Sequence, residues 1–282
     1  MKITLLPLVA ALFYIHTTAQ TRQKTQSLHT TVAYWDVDRL YDTLPATFYN
    51  DEDFTPKGRL HWNTARYERK IRNTAAVIDS LSTTLVALWG VENEAVVRDL
   101  SRATTEDYTY IHRTLNSFDG QDFALLYHAD RFAPRNVTTH HKMLIVAGDL
   151  YPTSSPENGV PLLVILCNDP RQTEDRIAEL KTKYPDHRLL LMGAFGDVNL
   201  RKLGMEDPLS EARKSGQGNL PRHGGWTLRD RIAIDCRLSL RQGGIYIRPY
   251  LIDPQSGTPL ATFQGTRYTG GYSRTLPVFG GF

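Results

Sequence analysis

The chain has 282 residues, of which 41% are hydrophobic and 22% charged. This composition excludes an intrinsically disordered chain and predicts a buried core in one large domain or two small ones. The formal net charge is only +3, and no dense run of Lys and Arg occurs, which argues against a dedicated nucleic-acid binder.

The first residues, MKITLLPLVAALFYIHTTAQ, are typical of a secretory signal. Lys2 precedes an apolar stretch over residues 3–15, and small residues lead to a cut after Ala19. The alternative is an uncleaved membrane anchor, but the stretch is short for a span and contains Pro7.

The sequence therefore predicts a signal peptide over residues 1–19, an N-terminal extension over 20–30 and one domain over 31–282. We expect an exported protein that is periplasmic, cell-surface or secreted. No other segment is long and apolar enough to cross a bilayer, so we expect no membrane span after signal removal.

Strands and helices alternate early in the mature chain, and strands dominate later. Continuous apolar runs predict strands over residues 31–37, 85–91, 123–127, 142–147, 161–167, 188–193, 231–236 and 245–251. Apolar residues at helical spacing predict helices over residues 65–81, 93–103 and 174–184. This order predicts an α/β (α+β) architecture with large mixed sheets, in which loops at strand ends build the site.

Two segments, 43–63 and 200–226, are polar and rich in Pro or Gly, and we interpret them as long surface loops. The two cysteines, Cys167 and Cys236, each end an apolar run. Outside the cytoplasm they are able to pair, but two buried free thiols fit the pattern as well, and the spacing does not decide.

Six stretches occur in the order of a known family. They are VAYWDVDRLYDT (32–43), VALWGVENEAVVRDL (86–100), GQDFALLYHADRF (120–132), RLLLMGAFGDVN (188–199), WTLRDRIAI (226–234) and TFQGTRYTGGYSRTLPVFGGF (262–282). Together they resemble the endonuclease/exonuclease/phosphatase family, particularly its secreted bacterial branch. The resemblance implies a deoxyribonuclease-like four-layer sandwich of two packed mixed β-sheets flanked by helices. It also implies Mg²⁺- or Mn²⁺-dependent cleavage of phosphoesters.

The resemblance also assigns the family's site positions, and most of them hold other residues here. The altered positions are Asp36 (a metal-site Asn in the family), Gly90 (a metal-binding Glu), Asn168 (a His), Ala194 (the Asp that positions the water), Gly196 (an Asn), and Arg274 with Thr275 (the closing Asp-His). Only Asp122 and Asp230 match their family carboxylates.

These changes predict a protein without catalysis and without a metal cofactor. Gly90 and Ala194 cannot coordinate a cation through a side chain or act as a base, and Arg274 would repel a divalent ion. We therefore expect a binding or structural module. The alternative is a Mg²⁺- or Mn²⁺-dependent phosphoesterase with a rearranged metal site, built from Asp36, Glu92 and Asp230.

Two further expectations concern the remaining charges. Asp122 and Asp230 are expected to bind neighbouring backbone N–H groups or an arginine, with Arg274 as the expected partner of Asp230. A cleft with Arg274, and with Arg231, Arg222 and His223 nearby, would attract an anion such as phosphate, a nucleotide or an acidic glycan. A partner protein is the other possible ligand.

Overall fold

The computed structural model describes residues 30–152, 158–171 and 173–282, apart from the side chain of Gln242. The predicted signal peptide and residues 20–29 lie outside the described residues. Among the described residues, no helix combines the length and the apolar character that a membrane crossing requires.

Two six-stranded mixed sheets form the centre of the fold. The first has the order β13-β16-β1-β2-β4-β3, with β1 parallel to β2, and its strands are β1 (Thr31–Leu40), β2 (Leu85–Val91), β3 (Tyr108–Arg113), β4 (Asp122–His128), β13 (Arg241–Ile245) and β16 (Val278–Gly281). The second has the order β5-β6-β7-β8-β12-β9, with β7 parallel to β8, and its strands are β5 (Phe132–Thr139), β6 (Met143–Leu150), β7 (Val160–Cys167), β8 (Arg188–Gly193), β9 (Met205–Glu206) and β12 (Arg231–Asp235).

Among the described residues, two hairpins and four helices complete the fold. The hairpins pair β10 (Leu220–Arg222) with β11 (Gly225–Thr227) and β14 (Phe263–Gln264) with β15 (Arg267–Tyr268). The helices are α1 (Thr64–Leu81), α2 (Glu94–Ala103), α3 (Thr173–Lys183) and α4 (Ser210–Lys214), and short 3-10 helices span Glu52–Phe54 and Pro249–Leu251.

The central strands of the second sheet are apolar on both faces because each face meets a different core. In β6, Leu144 and Val146 join the main core, whereas Met143 and Ile145 join a second core around α3. The same alternation continues through β7, β8 and β12. It follows from the two-residue period of a strand, and it explains why these strands appear as unbroken apolar runs in the sequence.

Helices cover the outer faces of both sheets. Helix α1 contributes Ile71 and Ile78 to the main core, and α3 contributes Ile177 and Leu180 to the second core. The side chain of Asn63 caps α1 by accepting a hydrogen bond from the N–H of Arg66. Two mixed sheets flanked by helices confirm the predicted α+β sandwich.

Seven of the eight predicted strands and all three predicted helices are present, with ends shifted by up to three residues. The strand predicted over residues 245–251 is wrong. Strand β13 ends at Ile245, and Pro249 begins a 3-10 helix because its fixed φ suits the first helical position and its nitrogen has no proton for a sheet.

The interpretation of residues 43–63 as a polar surface loop is also wrong in part. Phe54, Leu60 and Trp62 are buried and form a third apolar cluster with Tyr41 at the end of β1. The indole N–H of Trp62 donates to the carbonyl of Tyr41 at 2.9 Å. The segment is therefore fastened to the first sheet. Residues 200–226, the other predicted loop, contain β9, α4 and β10 and enter β11.

The two cysteines are both free thiols. Cys167 is buried and contacts the hydroxyl of Thr173 at 3.4 Å, whereas Cys236 is exposed. Of the two alternatives that the sequence left open, the disulfide is wrong, and the buried free thiol is confirmed for Cys167 but is wrong for Cys236.

Trp62→Ala should lower the free energy of unfolding by about 3–5 kcal/mol, because it removes a fully buried ring from the third cluster. Trp226→Ala is the matched control, since Trp226 is 39% exposed and should cost about 1 kcal/mol or less. Urea unfolding of both variants checks this. Equal losses would contradict the assignment of the 43–63 segment to the core.

Candidate functional site

The positions assigned by the resemblance gather where the two sheets meet at one end. Asp36 lies in the second half of β1, and Asn168 follows β7 directly. Because Arg231 of β12 pairs with Gly193 of β8, Asp230 lies beside the turn that follows β8. The hydroxyl of Tyr34, on β1, donates to Asn168 Oδ1 at 2.9 Å and joins the two sheets at this point.

A residue that the sequence did not single out occupies the centre of this site. The Nη2 of Arg229 donates to Asp36 Oδ2 at 2.7 Å and to Asp230 Oδ2 at 3.0 Å, and its Nε donates to Asp230 Oδ1 at 2.6 Å. One guanidinium therefore binds a carboxylate from each sheet. The fork of N–H donors on arginine suits this bidentate contact with Asp230.

The surrounding groups hold this arrangement in place. Asp230 is fully buried, and its Oδ2 also accepts a hydrogen bond from Asn219 Nδ2 at 2.7 Å. Asn219 Oδ1 accepts from the backbone N–H of Arg229 at 3.0 Å. Burial alone would lower the pKa of Arg229, but the carboxylates of Asp230 and Asp36 outweigh it and raise the pKa. The guanidinium is therefore charged at every physiological pH.

The expected partnership between Arg274 and Asp230 is wrong. Arg274 is largely exposed and donates through Nε and Nη2 to Asp38 Oδ1, at 2.9 and 2.6 Å. Thr275 lies closer to the centre, because its hydroxyl donates to the backbone carbonyl of Asp36 at 3.1 Å. Asp230 is paired with an arginine, as expected, but the arginine is Arg229.

Two glycines at family positions have backbones that other residues rarely adopt. Gly90 has φ +86°, and a Cβ there would lie 3.2 Å from the backbone nitrogen of Arg39. Gly196 has φ +70°, and a Cβ there would lie 2.5 Å from Cβ of Pro170. At both positions the backbone φ lies in the left-handed region. The family's Glu at position 90 and its Asn at position 196 would therefore be strained.

Backbone groups of the turn after β8 form hydrogen bonds with side chains of the protein itself. The N–H of Ala194 donates to Asn168 Oδ1 at 2.7 Å, so the side chain at the family's His position fastens the turn. Phe195 is fully buried beneath the guanidinium of Arg231, whose carbon lies 5.0 Å from the ring centre. Nη1 of Arg231 donates to the carbonyl of Gly196 at 2.6 Å.

The prediction that Arg231 helps to form an anion-binding cleft is therefore wrong. Arg231 is buried and points into the turn, and its Nη2 lies 3.3 Å from Asp207 Oδ2. Arg222 and His223 lie exposed on the hairpin formed by β10 and β11. Arg274 is committed to Asp38.

Two other carboxylates proposed for the site make their hydrogen bonds with other parts of the chain. Glu92 follows the end of β2 and accepts hydrogen bonds from the N–H of Asp42 at 2.6 Å and the hydroxyl of Tyr49 at 2.9 Å. Asp122, at the start of β4, accepts from the N–H of Leu115 at 2.7 Å and contacts Nε2 of His112 at 3.2 Å. Both bind neighbouring groups of the chain.

The remaining acids near the altered positions have ion-pair partners of their own. Asp169 binds Arg171 and His141, and the side chain of Asp197 is fully exposed. Within residues 30–152, 158–171 and 173–282, no three His, Cys, Asp or Glu side chains come together in an arrangement that fits a metal ion. The donors at the centre, Asp36 and Asp230, have a guanidinium between them, so these residues do not fit the divalent cation of the family.

Arg229 and Asn219 are the two central residues that sequence reasoning missed. A signal for Arg229 was present, because the stretch WTLRDRIAI places an arginine directly before Asp230. Asn219 has no local signal, because its role depends on the hairpin bringing it to Asp230 across a sequence separation of 11 residues.

Comparison with known proteins finds a family model that matches part of the chain and solved structures that share its fold. The model of the endonuclease/exonuclease/phosphatase family matches residues 31–150, from the start of β1 to the end of β6. A search of the curated proteins finds no match.

Solved structures share the fold over nearly the whole chain. An endonuclease/exonuclease/phosphatase family protein from Bacteroides thetaiotaomicron has a TM-score of 0.59 at 13% identity, covering 90% of this chain and 97% of its own. A mannosyl-6-phosphatase from B. thetaiotaomicron VPI-5482 has a TM-score of 0.58 at 13% identity, covering 89% and 98%. TDP2 of D. rerio, complexed with a single-strand DNA product, has a TM-score of 0.53 at 14% identity, covering 90% and 98%.

Arg229→Met should lower the free energy of unfolding by about 3–5 kcal/mol, because it leaves two carboxylates close together without their counter-charge. The triple variant Asp36→Asn, Arg229→Met, Asp230→Asn should recover most of that loss, since it removes the charges together. Denaturant unfolding measures both.

Arg274→Ala is the control for this comparison, because its ion pair is exposed and should contribute about 1 kcal/mol or less. A loss for Arg274→Ala as large as that for Arg229→Met would contradict the assignment of Arg229 as the central cation.

Glu92 should make stability depend on pH. Burial, reinforced by the carboxylates of Asp42 and Asp51, raises the pKa of Glu92 from 4.5 to about 7. Between these values the folded protein holds a proton that the unfolded chain has released, so the contribution of Glu92 to the free energy of unfolding falls as pH rises. Relative to Glu92→Gln, the wild type should lose up to about 3 kcal/mol between pH 4.5 and 7. A difference that stays constant across this range would show that the pKa of Glu92 is normal.

Proposed function

We propose that this chain, which has the fold of the endonuclease/exonuclease/phosphatase family, is an exported member that has lost phosphoester hydrolysis and acts as a binding or structural module. The observation that carries this proposal is the guanidinium of Arg229 between Asp36 and Asp230.

A divalent cation and this guanidinium compete for the same oxygens. Mg²⁺ requires an octahedral set of oxygen ligands, and carboxylates supply its charge compensation. In this chain both central carboxylates already bind N–H donors of Arg229. Binding a cation there would require displacing a charged side chain from two partners and placing two positive groups a few ångströms apart, which is strongly unfavourable in a partly buried site.

The groups that would activate water are also absent from the positions assigned by the resemblance. Ala194 has no side-chain acid, and the amide oxygen of Asn168 already accepts hydrogen bonds from the N–H of Ala194 and the hydroxyl of Tyr34. Catalytic groups that act as a unit lose most of their rate when one member is removed, often by about 10⁴-fold. The structural neighbours include a phosphatase and a protein solved with a DNA product, and this chain shares their fold.

The distribution of cations favours a protein partner or a structural role over a phosphate ligand. Arg229, Arg231 and Arg274 each bind a carboxylate of the chain, so little free positive charge faces the former site. Export rests on the N-terminal sequence, with its basic start, short apolar stretch and small residues before the expected cut.

The purified protein should hydrolyse bis(4-nitrophenyl) phosphate and 4-nitrophenyl phosphate at the same rate with Mg²⁺, with Mn²⁺ or with a chelator. Asp230→Asn is the matched control, because it keeps the size of the side chain and removes its charge. Metal-stimulated hydrolysis by the wild type that disappears in Asp230→Asn would overturn the proposal and establish the rearranged phosphoesterase.

A revival experiment tests whether the site stays inactive when the other family residues are restored around Arg229. The family residues introduced by Gly90→Glu, Ala194→Asp, Gly196→Asn, Arg274→Asp and Thr275→His should give no activity while Arg229 is retained. Activity in that background would contradict the claim that Arg229 closes the site to a cation.

A further inference from the structure

An apolar groove lies between the hairpin formed by β10 and β11 and the loops that follow β13. It has a volume of about 280 Å³, and the residues that shape it are Gly218, Trp226, Ile247, Ile252, Gly257 and Leu276. None of the altered family positions lines this groove. An inference drawn from it therefore does not rest on the loss of hydrolysis.

Hydrogen bonds within the chain hold the walls of the apolar groove. The N–H of Asn219 donates to the carbonyl of Thr227 at 3.0 Å, and the N–H of Leu276 donates to the carbonyl of Asn219 at 2.9 Å. In the loop after the second 3-10 helix, the N–H of Asp253 donates to the carbonyl of Thr258 at 2.8 Å. The protein alone shapes the groove, which lowers the entropic cost of binding a ligand.

The surface of the apolar groove is almost entirely apolar. Trp226 is 39% exposed and Ile247 is 49% exposed, whereas Leu276 is buried. Large apolar side chains that stay in contact with water within a concave surface are typical of ligand-binding grooves. A ligand that covers these side chains gains free energy by removing their apolar surface from water.

The absence of charge distinguishes this groove from three other cavities of similar volume. Acidic and basic side chains both line the groove between α1 and α2, the cavity at Cys236 and the cavity at the end of β1. Among the described residues, no Asp, Glu, Lys, Arg or His lines the apolar groove. Its one polar side chain, that of Gln217, is also uncharged.

The charged residues next to the groove in sequence have other partners. The Cζ of Arg248 lies 4.4 Å from the ring centre of Tyr246, and its Nη1 donates to the carbonyl of Ile247 at 3.1 Å. The Oδ1 of Asp253 accepts a hydrogen bond from the N–H of Gln255 at 2.8 Å. A charged group in the groove would therefore lose hydration without gaining a counter-charge, which is costly.

We propose that the apolar groove binds a small molecule through an uncharged aromatic system of one or two rings. The indole of Trp226 favours an aromatic ligand, because aromatic pairs attract each other beyond the effect of burial. The volume agrees with this size, since an apolar cavity of about 150 Å³ holds benzene. The uncharged lining selects against ions of the same shape.

The test compares toluene with N-methylpyridinium, which has the same shape and a positive charge, by amide chemical shifts in two-dimensional NMR. Toluene and indole should give saturable shifts at residues 218, 226 and 257, and toluene should bind at least about tenfold more tightly than N-methylpyridinium. Equal affinities, or no saturable shift with toluene and indole, would overturn the proposal.

Variants assign the contact with indole. Trp226→Ala should weaken indole binding at least about tenfold, and Ile247→Glu should do the same by placing a carboxylate at the groove. Leu240→Ala is the matched control, because Leu240 is an apolar residue, 37% exposed, outside the groove lining, and it should change the affinity less than about twofold. Unchanged affinity in both Trp226→Ala and Ile247→Glu would contradict the proposal.

N-Acetyl-tryptophanamide distinguishes a small molecule from the side chain of a partner protein. It carries the same indole ring between two amide groups, as a peptide does. Indole should bind at least as tightly as this compound. Saturable binding of N-acetyl-tryptophanamide without binding of indole would overturn the proposal and identify the groove as a site for a partner's side chain.

Discussion

The guanidinium of Arg229 joins a carboxylate from each of the two sheets at the place where they meet. Asp36 belongs to β1 of the first sheet, and Asp230 immediately precedes β12 of the second. Two acids held so close in a partly buried site need a counter-charge, since the charged form of each is disfavoured by burial and by the other. In the family that this chain resembles, a divalent cation is expected to supply that charge. Here a side chain of the protein, the guanidinium of Arg229, supplies the positive charge.

This substitution is consistent with the other features of the site. Asn168 binds the turn that follows β8, Thr275 binds the backbone of Asp36, and Asn219 binds both Asp230 and the backbone of Arg229. The polar side chains that face the centre are thus satisfied by the protein itself. A site of this kind has few unpaired donors or acceptors to offer to a substrate. A buried ion triad does not necessarily stabilise a fold more than apolar residues would, so the presence of Arg229 is better explained by the need of the two neighbouring aspartates for a counter-charge than by a gain in stability.

The sequence predicted the layers well and the edges poorly. The central strands β6, β7, β8 and β12 are buried on both faces and appear as continuous apolar runs, so their existence was evident. The edge strands β3 and β5 have exposed, polar positions, and β5 contains Pro134, so neither produced such a run. Within the site, the sequence showed that Gly90 and Ala194 lack the side chains of the family. It did not show which arginine binds Asp230, because the sequence alone does not distinguish Arg229 from Arg274 as a cation, and only the fold determines which of them is near.

The most direct test of the central claim is a crystal structure of the wild-type protein soaked in Mn²⁺, with anomalous difference density calculated at the site. The account predicts that the guanidinium of Arg229 lies between Asp36 and Asp230, with no anomalous peak within bonding distance of either carboxylate. A manganese peak bridging the two aspartates, with Arg229 turned away, would contradict it.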